Sequence, residues 1–164
     1  MGFEEYVTEQ GRSLLRLAYV LTSDPHRAED LTQTVLADAY RRWPKVAAAR
    51  SPEAYVRRMM VNAHLDWYRR RSSSERVTDL RDHEPAAETD PADRIVAREA
   101  LRSMLATLAP RARTVLVLRY YADLDDAAIA EAMGISASAV RATSSRALAS
   151  LRNGGALDTV KETP

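Results

Sequence analysis

Apolar residues recur in this chain every three or four positions, segment after segment, and no stretch alternates every second residue as a half-buried strand would. Phe3, Tyr6, Val7, Leu14, Leu17, Ala18 and Leu21 form one stripe. Ala28, Leu31, Val35, Leu36, Ala39, Tyr40 and Trp43 form a second, and Tyr55, Val56, Met59, Met60, Ala63 and Trp67 a third. After a gap come Ile95, Val96, Ala100, Leu101, Met104, Leu105 and Leu108, then Val115, Leu116, Leu118 and Tyr121. That spacing predicts amphipathic helices throughout and an all-α fold.

Punctuation residues agree with the stripes. Asp24-Pro25 reads as an N-cap followed by proline at the first helical position, and Ser51-Pro52 repeats the device. Pro44 is expected to stop the second helix, leaving 45–51 as a loop. Pro110 opens a fifth helix, and Asp125 or Asp126 caps a sixth that ends at Gly134. Ser136 then caps a seventh, running to about Arg152. Residues 72–91, SSSERVTDLRDHEPAAETDP, break the rhythm and read as a flexible linker. Two helical modules are therefore expected, 1–71 and 92–152, with a disordered tail at 153–164. Fully extended, twenty linker residues reach roughly 70 Å, about two turns of duplex DNA.

Composition narrows the function. The chain has no cysteine, which excludes disulfides and thiolate metal sites and fits a reducing compartment. No apolar run approaches the length of a membrane span, and the first twenty residues carry Glu4, Glu5, Glu9, Arg12 and Arg16, unlike a signal peptide. A cytoplasmic protein is expected. The net charge of +1 hides a pattern. Residues 50–76 hold seven arginines against three acids, 79–94 six acids against two arginines, and 136–152 three arginines and no acid. Basic patches at two places suit a polyanion bound at two places.

The most specific signal is LDDAAIAEAMGISASAVRATSSRALASLR, residues 124–152. Ala130 permits a close helix crossing, and Gly134 four residues later supplies a turn needing positive φ. Ile129, Ile135 and Val140 are expected to point to the core and set the angle between helices. This is a helix-turn-helix pattern. The outer face of its second helix presents Ser138, Arg141, Ala142, Thr143, Ser145 and Arg146. Arginine can contact guanine bidentately or pair with phosphate, and hydroxyls bond either.

The second basic patch, AYVRRMMVNAHLDWYRRR, mixes Arg57, Arg58, Arg69, Arg70 and Arg71 with Asn62, His64, Trp67 and Tyr68. Aromatics among cations favour stacking on unpaired bases while the cations follow the backbone. A solvated helix end is the competing reading, with Trp67 in the core and His64 at the surface or capping a helix. His26, Glu29 and Asp30 stand at helical spacing, but no further ligand completes a metal shell. No metal and no cofactor are expected. No nucleophile–base pair, phosphate loop or catalytic carboxylate pair can be argued from spacing, so an enzyme is not expected.

Taken together, LLRLAYVLTSDPHRAEDLTQTVLADAYRRW, SPEAYVRRMMVNAHLDWYRRR and LRSMLATLAPRARTVLVLRYYADLDDAAIAEAMGISASAVRATSSRALASLR resemble the extracytoplasmic-function sigma factors of bacterial RNA polymerase, most of all their short SigE-like actinobacterial group. The resemblance covers both modules and implies sigma domain 2, a three-helix-type bundle, at 1–71. It implies sigma domain 4, a four-helix domain containing the helix-turn-helix, at 92–152. It implies core RNA polymerase and promoter DNA as partners, with an anti-sigma factor as a further one. Glu29, Asp30, Gln33 and Tyr40 would meet the polymerase. Arg57, Arg58, Asn62, Trp67, Arg69 and Arg70 would meet the minus-10 element, together with the loop 44–52. Ser138, Arg141, Ala142, Thr143, Ser145 and Arg146 would read the minus-35 element. Three positions depart from the family pattern: Thr34 where many relatives have Glu, Tyr55 where many have Trp, and Thr143 where relatives often have Arg. The alternatives are a dimeric stand-alone helix-turn-helix regulator and a helical adaptor that binds no DNA.

Overall fold

The computed structural model describes the backbone of residues 1–73 and 92–154 and the side chains of 1–71 and 98–154. Ser72 and Ser73, expected in the linker, and Asn153, expected in the tail, are helical instead. The rest of the linker, 74–91, the side chains of Ile95 and Val96, and the tail from 155 onward lie outside the described residues. Among the described residues every regular element is helical. The order is α1 (Phe3–Thr22), α2 (Pro25–Arg41), α3 (Trp43–Ala47), α4 (Pro52–Ser73), α5 (Ala92–Ala106), α6 (Pro110–Leu116), α7 (Asp126–Met133) and α8 (Ala137–Asn153). The chain after α6 continues as a π-helical segment, Val117–Tyr121.

Two compact units divide these elements, one holding α1 to α4, the other α5, α6, the π segment, the first part of α7, and α8. In the first, α1 packs on α2 and α4, and α2 packs on α4. Tyr6, Leu14, Leu17, Ala18 and Leu21 of α1 meet Ala28, Val35 and Ala39 of α2, with Val46, Val56, Met60 and Val61 closing the core. Local chemistry sets the joints. Ser23 ends α1 in the left-handed conformation at φ 55°, and its N–H donates to Tyr19 O at 2.8 Å. Asp24 Oδ1 then accepts from His26 N at 2.9 Å and Arg27 N at 3.3 Å, a side-chain cap on α2. Ser51 Oγ accepts from Ala54 N at 3.2 Å and starts α4.

Residues 45–51 are not wholly a loop, and Pro44 does not end a helix. Arg42 (φ −119°, ψ 26°) breaks the helical path, and Pro44 falls in the first turn of α3, where a missing N–H costs nothing. Trp43 Nε1 donates to Met1 O at 3.3 Å, and its ring packs against Phe3 and Tyr6 at 5.4 and 5.3 Å.

In the second unit α6 packs on α8. Leu105, Leu108, Val115, Leu116, Val117, Leu118, Ile129, Val140, Ala147 and Leu151 are buried. Arg113 is buried with them: Nε donates to Leu105 O at 3.0 Å and Nη2 to Leu108 O at 3.3 Å. It thereby adds a second donor to Leu105 O, which already accepts from Leu108 N, and supplies one to Leu108 O just beyond the end of α5. The helix expected to carry Tyr121 in its apolar stripe widens instead. Ala122 N donates to Val117 O and Leu124 N to Leu118 O, both at 3.0 Å, and Tyr121 is exposed.

Candidate nucleic-acid interface

Gly134 takes φ +66°, and Ile135 N donates to Ala130 O at 3.1 Å across the turn. Asp125, rather than Asp126, caps α7: its Oδ1 accepts from Ala128 N at 2.8 Å. Ser136 Oγ accepts from Ala139 N at 3.0 Å and starts α8. Ile129 and Val140 are fully buried, while Ile135 is half-buried. Along α8 the buried side is Val140, Ser144, Ala147 and Leu151. Ser138, Arg141, Ala142, Ser145 and Arg146 are all exposed, and Thr143 is half-buried at the edge of that face.

Ser144 is a polar residue at a core position. Arg119 Nη1 donates to its Oγ at 2.8 Å. The same guanidinium pairs with Asp126 Oδ1, and Asp126 Oδ2 lies 3.7 Å from Arg141 Nη1. None of these pairings was legible from spacing: Arg119 and Ser144 are twenty-five residues apart.

In α4 the expected minus-10 residues divide between two sides. Arg58, Asn62 and Arg69 are exposed and follow one stripe, and Arg69 pairs with Asp66 at i,i+3. Arg57 is half-buried, and Arg70 is exposed. Trp67 lies roughly 140° around the helix from Asn62. Its ring is half-buried and carries the guanidinium carbon of Arg27, from the first turn of α2, at 3.3 Å from the centroid. Arg71 adds a second cation at 4.7 Å, and the Tyr68 ring stands edge-on at 4.9 Å. His64 is neither a surface nor a capping residue. It is fully buried on the same side as Met60, with its ring against Tyr68 at 5.0 Å.

Glu29, Asp30, Gln33 and Tyr40 are all exposed along one side of α2. Tyr40 is 65% exposed, although Phe3 packs on its ring at 5.0 Å. It therefore belongs to the surface rather than to the apolar stripe in which periodicity put it. Among the described residues no three His, Asp or Glu side chains converge on a point that could hold a metal ion. No helix of the described residues is long and apolar enough to cross a membrane.

Residues 6–74 match the family model for Sigma-70 region 2, and residues 98–151 match that for Sigma-70, region 4. The RNA polymerase sigma-E factor of Streptomyces coelicolor is 40% identical over 152 residues, covering 93% of this chain and 85% of the relative. That of Streptomyces avermitilis is 41% identical over 153 residues, covering 93% and 84%. Among solved structures, the sigma factor RpoE of Bartonella quintana, crystallised with the anti-sigma factor NepR, matches with a TM-score of 0.69. That match covers 92% of this chain and 94% of the other at 19% identity, a likeness of fold. Two sigma-70 regions in order along one chain, and close likeness to sigma-E factors over nearly its whole length, make this protein a member of the extracytoplasmic-function sigma factors, of the SigE-like type.

Proposed function

We propose a division of labour between the two units of this sigma factor, which directs core RNA polymerase to promoters and helps open them. The first unit (1–71) meets the polymerase through Glu29, Asp30, Gln33 and Tyr40 and the minus-10 element through α4. Arg58, Asn62 and Arg69 form the edge that meets the strand, with Arg57 and Arg70 beside it and Trp67 behind, under Arg27. The second unit (92–152) reads the minus-35 element with Ser138, Arg141, Ala142, Thr143, Ser145 and Arg146. The observation that carries this reading is the exposed face of α8, which bears Arg141 and Arg146 and no acid, and is held out by the Gly134 turn.

Residues 74–91 serve as the tether, and the segment from 155 as a tail. A nearly neutral protein with a few exposed arginines binds duplex weakly by itself, because affinity follows the number of phosphates neutralised. Specificity arises when the polymerase fixes the separation of the units, so that the second contact profits from high effective concentration. Base unstacking costs a few kcal/mol, and contacts to the extruded strand offset part of it. The protein works in the cytoplasm, as an initiation factor rather than an enzyme, and an anti-sigma factor is the partner expected to restrain it. A stand-alone regulator would leave unexplained why residues 6–74 match sigma-70 region 2.

Run-off transcription on genomic fragments, with core polymerase and this chain, tests the reading. New promoter-dependent transcripts that vanish without the chain are expected. Failure of the chain to bind core enzyme, or to start any transcript, overturns it.

A further inference from the structure

Arg141 is a long side chain on the outer face of α8, and by itself could settle on any nearby phosphate. Such a contact adds affinity without sequence information. In the structure it does not stand by itself. Asp126 Oδ2, at the start of α7, lies 3.7 Å from its Nη1, and the two side chains are 28% and 62% exposed. The opposite oxygen of the same carboxylate pairs with Arg119. Arg119, on the π segment, in turn donates to Ser144 Oγ of α8 at 2.8 Å. Ser144 lies one turn along α8 from Arg141. The position of the carboxylate is thus referred back to the helix that carries the arginine it faces.

We infer that Asp126 is a specificity-determining residue that acts through Arg141, orienting its guanidinium toward a base edge rather than the phosphate backbone. This rests on the reading of α8 as the minus-35 reader. Two physical points support it. A guanidinium has five donors in a planar fork, so one carboxylate oxygen on one edge leaves the other edge for a guanine O6/N7 pair. An acid close to DNA ordinarily repels it, but Arg119 neutralises this one, so the carboxylate can stay while the duplex arrives. Asp126 touches no DNA itself. Its work is to restrict where Arg141 points.

The test uses holoenzyme assembled from core polymerase and the full chain, titrated on promoter duplexes in which each minus-35 base pair is changed in turn. Arg141→Ala is expected to erase discrimination at one or two positions. Asp126→Asn is expected to reduce discrimination at those same positions by about fivefold or more, while affinity for mismatched duplexes holds or rises. In the Arg141→Ala background, Asp126→Asn should add nothing. Ser144→Ala, which frees Arg119 from α8 but leaves the carboxylate facing Arg141, should reduce discrimination at the same positions by less than Asp126→Asn does. Should the Asn variant lose its fold, Asp126→Ser removes the carboxylate with a residue that helix starts tolerate. If Arg141→Ala discriminates as the parent does, the reading of α8 fails and the inference with it. If Arg141→Ala acts as expected but Asp126→Asn and Asp126→Ser weaken every duplex equally, the inference alone is overturned.

Discussion

The guanidinium carbon of Arg27 lies over the Trp67 ring, 3.3 Å from its centroid, and Arg27 Nη1 donates to Tyr68 Oη at 3.4 Å. The first turn of α2 is thereby fastened to the last third of α4. One face of the only tryptophan in the arginine-rich segment is occupied before any nucleic acid arrives. Arg27 and Trp67 are both half-buried, and a cation–π contact that solvent still reaches is worth about 1 kcal/mol, more on tryptophan than on other rings. Arg27→Ala should therefore lower the stability of the first unit by about that amount. It should also open the indole to solvent. With Trp43→Phe as background, acrylamide quenching of Trp67 fluorescence should increase on Arg27→Ala. Equal quenching in the two proteins would mean the stack does not form in solution.

The same geometry separates two residues expected to act together. Asn62 is exposed on the stripe of Arg58 and Arg69, whereas Trp67 is half-buried on another side of α4. Asn62→Ala should impair promoter opening with the Tm unchanged. Trp67→Ala should impair opening too, but also destabilise the unit by about 2 kcal/mol, because it leaves a void beneath Arg27. Permanganate reactivity of the minus-10 thymines, read beside binding to core enzyme and thermal unfolding, distinguishes them. Both variants should keep their polymerase affinity. Normal permanganate reactivity in both would remove this part of α4 from the melting step.

How far the sequence could be read depended on the range of the interaction that decided each feature. Asp24, Ser51, Ser136 and Gly134 act on backbone groups within a few residues, and each does in the structure what its type and position implied. α3 was missed because Pro44 has opposite meanings at the end of one helix and in the first turn of the next. Arg42 decides between them, and no propensity marks it. The burial of His64 and the exposure of Tyr40 and Tyr121 follow from which neighbour packs where, information that a stripe of alternating polarity carries only loosely. The Asp126–Arg119–Ser144 chain and the Arg27–Trp67 stack join distant segments, and nothing in either segment alone announces them.

Arg113 shows what such long-range polar pairing contributes. It is 4% exposed, and its side chain donates to Leu105 O and Leu108 O, carbonyls at and beyond the end of α5. Arg113→Met keeps much of the volume and removes both donors. Leu105 O keeps its bond from Leu108 N at 3.1 Å, so Leu108 O alone is left unpaired. A buried carbonyl without a partner costs about 1–3 kcal/mol, so the variant should lose about 2 kcal/mol in urea unfolding of the second unit. Arg113→Lys should recover less than half, since an ammonium cannot span two carbonyls as the planar fork does. A loss within about 0.5 kcal/mol of zero would show that water replaces the guanidinium without penalty.

Tyr6 sets a pH limit on the first unit. Its side chain is 2% exposed, and its pKa is raised from 10.0 to about 12. Burial is the main cause, the negative charge of Glu53 adds to it, and Arg57 works the other way. The fold thus favours the protonated phenol. Below pH 10 the phenol is protonated in folded and unfolded chains alike, and the stabilisation is fully present. Between pH 10 and pH 12 the unfolded chain releases the proton while the folded one retains it. Stability then falls with rising pH, by about 2–3 kcal/mol once the pH passes the folded value. Tyr6→Phe carries no such proton. The stability difference between parent and Tyr6→Phe, measured by urea unfolding, should be constant from pH 7 to 9 and shift toward the Phe variant by about 1 kcal/mol at pH 11. An unchanging difference across that range would show that the phenol reaches solvent in the folded protein.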